Sequence, residues 1–370
     1  MSERLARLAD VLVGYSTEVG PGDIVNIGGG LPTTPLIREV YRSAIRAGGH
    51  AVARLTVDET IEDLLSEGSD VQVAWVPPDL RWTLEQADVM IVLDGPENTK
   101  HLSGIDPAKM AVRAKGREPY QKTYLERSSR GEFRWVLWGY PTNASAQDAG
   151  MSLEEFEALV HRAAFLDADD PIGAWKDFGQ ELERVGGFLE TVKDLRMVGE
   201  DTDLRFGVGG RTWIRADGHS NLPDGEVFTG PVEDSVEGTI RFTFPATIRG
   251  RVAEDVRLRF EGGEVVEATA STGQAFVREM VGMDDGARRV GEFAFGLNRA
   301  VTEYTGSLLL DEKIGGTVHL ALGRSIPGTG GANESALHWD MVCDLRRGGE
   351  VYADGELVYR DGAFLESVLG

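Results

Sequence analysis

DEKIGGTVHLALGRSIPGTGGANESALHWDMVCDLR, residues Asp311 to Arg346, holds two apolar, alternating runs, Gly316–Gly323 and Ala336–Leu345. Each carries a histidine, and the second also carries Asp340, two residues after His338. Successive side chains of a strand point to opposite faces, so residues i and i+2 share one. His338 and Asp340 therefore lie together, with Trp339 and Met341 turned away, and His319 sits mid-run between Val318 and Leu320. Imidazole and carboxylate converging on one sheet face is how a divalent metal is held. The same residues also suit a satisfied core histidine beside an ordinary buried Asp–His pair.

Outward from this stretch the second half of the chain is β-rich. After Arg196 come short alternating runs, DTDLRFGVGG, GTIRFTFPATI and DVRLRFEGGEVVEATAS, punctuated by Gly-Gly and Asp-Gly turns. A helix is expected near Gly273–Val281. The segment EVYADGELVYRDGAF reads as a hairpin turned at Asp354-Gly355.

The first half has another texture. Leu5, Leu8, Val11, Leu12 and Tyr15 recur at helical spacing. DIVNI at 23–27 reads as a strand ended by Gly28-Gly29-Gly30, and Thr34–Ala47 as a helix stopped by Gly48-Gly49. His50–Leu55, Val71–Val76, Ala87–Leu93 and Phe133–Trp138 are further strand candidates, with a mostly helical Pro107–Arg130 between the last two. Alternating strands and helices imply a doubly wound α/β domain. Residues 152–193 read as connecting helices. The expected organisation is an α/β N-terminal domain over 1–195 and an α+β, β-rich metal-binding domain over 196–370.

The Gly28–Gly30 turn resembles a phosphate cradle at a helix N-terminus. However, Leu31, Pro32 and Thr33 follow, with no third glycine where a dinucleotide fingerprint needs one. A tight structural βα turn is the plainer reading.

The formal charge of -23 argues against nucleic acid or an anionic membrane as partner. The one cysteine, Cys343, excludes an intrachain disulfide and fits a reducing cytoplasm. The N-terminal stretch lacks an uninterrupted apolar core, so no secretory signal is expected, and no apolar run is long enough to span a bilayer.

Two acids could complete a metal site: Glu226 in NLPDGEVFTGP and Glu292 in ARRVGEFAFGLN. Each follows a glycine and precedes an apolar segment, where a carboxylate is costly unless paired. A surface turn for Glu226 and a half-exposed strand for Glu292 fit the pattern equally.

Taken together, NLPDGEVFT, RRVGEFAFGLN, DEKIGGTVHLALG and GGANESALHWDM resemble the M29 family of metalloaminopeptidases, the aminopeptidase T/S type. The resemblance implies an α/β N-terminal domain and a C-terminal domain holding two metal ions. It also implies removal of N-terminal residues from short peptides, and a homodimer. It places Glu226, Glu292, His319, His338 and Asp340 at the family's metal-ligand positions. Where relatives carry a tyrosine seven residues after the first histidine, this chain has Ile326; Tyr304, Tyr352 and Tyr359 are the candidate substitutes.

Five ligands of these types suit two divalent ions, drawn from zinc, cobalt, manganese or magnesium. A separate carboxylate must then move the proton, and Glu312 in LLDEKIGG is the candidate. A surface acid paired with Lys313 is its alternative reading. Two other functions stay open on this sequence. One is an iron(II) ring-cleaving dioxygenase of the dihydroxypyridine type, using His319, His338 and Asp340 on one iron. The other is a non-catalytic metal- or peptide-binding protein.

Overall fold

Ser2–Val11 is helical, as its apolar spacing requires, and a π-helical turn over Leu12–Ser16 continues it. The computed structural model describes residues 2–248 and 250–369. Its contacts fall into two units. One runs to Ala174 and takes in Gly218–Pro223; the other holds Trp175–Asp217 and everything from Asp224 onward.

The first unit is built on a five-stranded sheet. Its order is His50–Thr56, Ile24–Gly30, Val89–Asp94, Arg134–Gly139 and Asn221–Leu222, each neighbouring pair parallel. Val25, Ile27, Val89, Ile91, Val136 and Trp138 are buried in its central strands. Helices Thr34–Arg46 and Pro107–Ser129 follow their strands as the α/β pattern requires.

Two details differ from expectation. Val71–Val76 is not a strand: Asp70–Ala74 is a short helix, opened by a capping box between Ser69 and Gln72. The reciprocal hydrogen bonds satisfy helix N-terminal donors, and Val71 stays 82% exposed, which a buried strand would not allow. The three glycines do not end their strand either, since Ile24–Gly30 runs through them. Gly29 is required by packing. A Cβ there would lie 2.8 Å from the Leu93 carbonyl oxygen and strike the Thr33 hydroxyl.

The second unit is β-rich. An eight-stranded sheet and a five-stranded sheet contribute to one apolar core, in which Phe206 of the larger packs 4.7 Å from Phe293 of the smaller. Helix Pro171–Leu189 adds Leu182, Val185 and Leu189 to the same core. For this reason contacts divide the chain at Ala174/Trp175, ahead of the expected 195/196. The helix Gln274–Val281 and the hairpin of Glu350–Ala353 with Glu356–Arg360 stand where the sequence placed them. Among the described residues, no helix is long and apolar enough to cross a membrane.

Candidate metal centre

The five-stranded sheet runs His338–Asp344, Thr317–Gly323, Val290–Gly296, Glu226–Thr229, Ile214–Ala216, antiparallel throughout. Alternation sorts its side chains. Val227, Phe293, Phe295, Val318, Leu320, Trp339 and Met341 enter the core. The residues interleaved with them, Glu226, Glu292, His319, His338 and Asp340, carry the polar chemistry on the other face. The apolar half of each strand thus holds the sheet in place, and the polar half is free to build a site.

Register brings these residues together. Ala321 pairs with Glu292 on one side and with Asp340 on the other, and His319 pairs with Ala294. Alanines between the acids and imidazoles leave room on the polar face. The register shifts between Val290 and Glu292, where Gly291 lies against the Gly323 carbonyl too closely for any Cβ. A bulge of this kind re-aims the next side chain, here Glu292.

Glu226, Glu292, His319 and Asp340 are all at most 5% exposed. His319 Nε2 lies 3.4 Å from Glu226 Oε2 and 3.6 Å from Glu292 Oε1. His338 Nε2 lies 3.3 Å from Glu292 Oε2 and 3.5 Å from Asp340 Oδ2. Three donor groups result among the described residues, Glu226–Glu292–His319, Glu292–His338–Asp340 and Glu312–His319–Asp340, each with its ligand atoms within 4.8 Å of one another. Glu292 belongs to the first two, as a bridging carboxylate would. His338 is oriented from behind, with Nδ1 2.8 Å from the Arg324 carbonyl oxygen. Such a contact fixes which nitrogen faces a metal.

The donors fit ions. Glu226 Oε2 and Asp340 Oδ1 are buried with no hydrogen-bond partner, a costly state for a carboxylate oxygen. Asp224, Glu226 and Glu312 surround the ammonium of Lys313, and Glu292 and Asp340 add two more carboxylates to the cluster, so among these described residues five acids meet one lysine. With the carboxylates ionised and the imidazoles neutral, four negative charges are left over, matching two divalent ions.

The metal-free electrostatics show the same strain. Burial pushes the Glu226 carboxyl up to about 8, against the pull of Lys313 and His319. Burial, followed by the nearby Glu312 carboxylate, pushes Asp340 up to about 7. Burial also lifts Glu292, but hydrogen bonds from His319 and His338 outweigh it and hold this carboxyl at about 2. Burial disfavours charged imidazole at both histidines, yet the Glu292 hydrogen bond and neighbouring carboxylates raise each to about 9.

Sequence reasoning missed two residues. Lys313 was visible only as a surface partner for Glu312. It is in fact 1% exposed, with Nζ 2.6 Å from Glu226 Oε1 and 2.9 Å from Glu312 Oε2. Asp224, also 1% exposed, stands 3.7 Å from the same nitrogen. A lysine one residue from an acid is too common a pattern to flag, and only its burial marks it.

The three candidate tyrosines are engaged in other contacts. Tyr359 is fully buried against Phe295 and Phe364, on the core side. Tyr352 donates to Glu350, and Tyr304 stacks on Phe244 and donates to the Pro245 carbonyl. Ile326 is part of a turn in which its carbonyl accepts from the Thr329 amide and hydroxyl.

Comparison with known proteins gives this centre a family. Aminopeptidase 2 of Geobacillus stearothermophilus is 27% identical over 97% of this chain and 97% of its own. Aminopeptidase T of Thermus thermophilus is 27% identical, over 97% of this chain and 95% of its own. In structure, wild-type AmpT from Thermus thermophilus superimposes with a TM-score of 0.85 at 23% identity, covering 98% of this chain and 99% of that one. The 2,5-dihydroxypyridine dioxygenase from Pseudomonas putida KT2440 shares the fold more distantly, with a TM-score of 0.61 at 14% identity, covering 99% and 98%. The profile of the thermophilic metalloproteases (M29) matches residues 1–364, and the chain belongs to that family.

Proposed function

We infer that this chain is a metal-dependent aminopeptidase that removes the N-terminal residue from short peptides. One observation carries the reading: two donor groups share Glu292 on one sheet face, in a chain of the M29 family. Glu226, Glu292 and His319 would hold one ion, and Glu292, His338 and Asp340 the other. Mixed imidazole and carboxylate donors accept zinc, cobalt, manganese or magnesium. Bound divalent ions supply Lewis acidity at the scissile carbonyl and acidify a water.

The chain's own residues do the rest. Glu312, which groups with His319 and Asp340, is the proposed general base. Its Oε2 is held by Lys313, so Oε1 is the oxygen that takes the proton of the attacking water and returns it to the leaving amine. The apolar backing of Phe293, Leu320 and Trp339 keeps the strands rigid, which preserves the relative placement of acid and imidazole.

A mono-iron dioxygenase would use His319, His338 and Asp340 alone. Glu226 and Glu292, buried in the same cluster, favour the two-ion hydrolase instead. Among the described residues, every donor group lies in the second unit. A domain without chemistry of its own commonly shapes access or supplies an interface. This supports a homodimer enclosing its centre and admitting short peptides, and the formal charge of -23 speaks against nucleic acid or an anionic membrane as partner. A single buried cysteine suits the cytoplasm.

Aminoacyl anilides test the activity. Hydrolysis should vanish with a chelator, return with a divalent ion, and fail on the N-acetylated anilide. Equal cleavage of the blocked substrate would contradict an aminopeptidase.

A further inference from the structure

We propose that Lys313 is a positioning residue of this centre: its buried ammonium fixes one oxygen of Glu226 and one of Glu312, leaving the other oxygen of each for an ion and for proton transfer. The inference rests on the functional reading above and adds a residue that the ligand set does not contain.

The geometry assigns one oxygen per carboxylate. Nζ is 2.6 Å from Glu226 Oε1 and 2.9 Å from Glu312 Oε2. The opposite oxygen of Glu226, Oε2, is buried without a hydrogen-bond partner and lies 3.4 Å from His319 Nε2. A carboxylate anchored at one oxygen must break that bond to rotate, so its free oxygen keeps a preferred aim. Lysine provides three donors from one point, and here two of them tie a proposed ligand to the proposed base. Asp224, at 3.7 Å, adds charge without a hydrogen bond.

Lys313 is itself immobilised. Its amide donates to the Leu310 carbonyl, and its carbonyl accepts from the Asn298 amide at 3.1 Å. Asn298 is fully buried, and its side-chain amide donates to the Asp224 carbonyl at 2.7 Å. The segment carrying the lysine and the loop carrying Asp224 are thus joined through Asn298, by its main-chain amide on one side and its side-chain amide on the other. A mere counter-ion needs charge nearby. This lysine has charge, two directed bonds and a clamped main chain.

The experiment compares wild type, Lys313→Met and Lys313→Arg for thermal stability, metal content after dialysis, and kcat and KM on an aminoacyl anilide. The wild type must hydrolyse the anilide and retain metal; failure there removes the aminopeptidase reading and this inference with it. With an active wild type, Lys313→Met should lose kcat by about 10–100-fold, as expected for supporting partners of metal ligands, with KM little changed and metal held more weakly. Lys313→Arg keeps the charge, but its planar fork cannot reproduce a point donor between two carboxylates. It should recover stability while kcat stays about tenfold down or more. Should Lys313→Met not fold, the arginine variant decides alone. Wild-type kcat and metal content in either variant would overturn the proposal, since charge balance or packing would then be the whole role.

Discussion

Glu292 reaches His338 across an intervening strand: Oε2 and Nε2 are 3.3 Å apart, although Thr317–Gly323 separates their strands in the sheet. Its other oxygen lies 3.6 Å from His319 on that middle strand. One carboxylate therefore serves both donor groups, and its replacement should disturb both. Glu292→Gln keeps the shape and removes the charge. The expected protein holds about one ion fewer and has lost at least about a hundredfold in hydrolysis, since a metal's electrostatic contribution is several kcal/mol. Metal analysis beside anilide turnover checks this; full metal content with wild-type turnover would remove Glu292 from the centre.

Ala321 makes that reach possible. It stands in register between Glu292 and Asp340 and is fully buried. Ala321→Leu replaces no donor but fills the space between Glu292 and Asp340. Overpacking of this kind costs about 1–3 kcal/mol of stability. Metal content and activity should fall further than that cost alone implies, while Ala321→Gly keeps both. A folded, fully active leucine variant would show that the polar face needs no open space at this position.

Metal uptake should release protons. In the metal-free protein His319 and His338 sit at about 9, Glu226 at about 8 and Asp340 at about 7. At neutral pH the imidazoles are therefore protonated, and a ligand must shed its proton to bind. The sign follows: affinity rises with pH across roughly 7 to 9 and levels off above it. Titration calorimetry in buffers of different ionisation enthalpy reads the released protons directly. An affinity independent of pH over this window would contradict the placement of these groups as ligands.

Much of this centre is legible in the sequence because strand alternation is local. HWD puts His338 and Asp340 on one face whatever the rest of the chain does, and the apolar partners Trp339 and Met341 say which face is core. Glu226 and Glu292 stand out by their setting, glycine before and apolar residues after, but their burial comes from pairing between strands distant in sequence. Lys313 lies beyond this logic altogether, since its importance is its depth, and depth is set by Asp224 and Asn298 from other segments. Val71–Val76 is ambiguous because a short apolar run suits strand and helix alike, and the Ser69–Gln72 capping pair is what favours the helix. Within Gly28–Gly30, Gly29 serves close packing against Leu93 rather than a turn.

The number of ions per chain tests the two-metal account most directly. Protein purified anaerobically should be analysed for metals and assayed in parallel on an aminoacyl anilide and on a dihydroxypyridine. The account predicts two divalent ions per chain and release of the N-terminal residue. One iron per chain, with ring cleavage and no anilide hydrolysis, would contradict it.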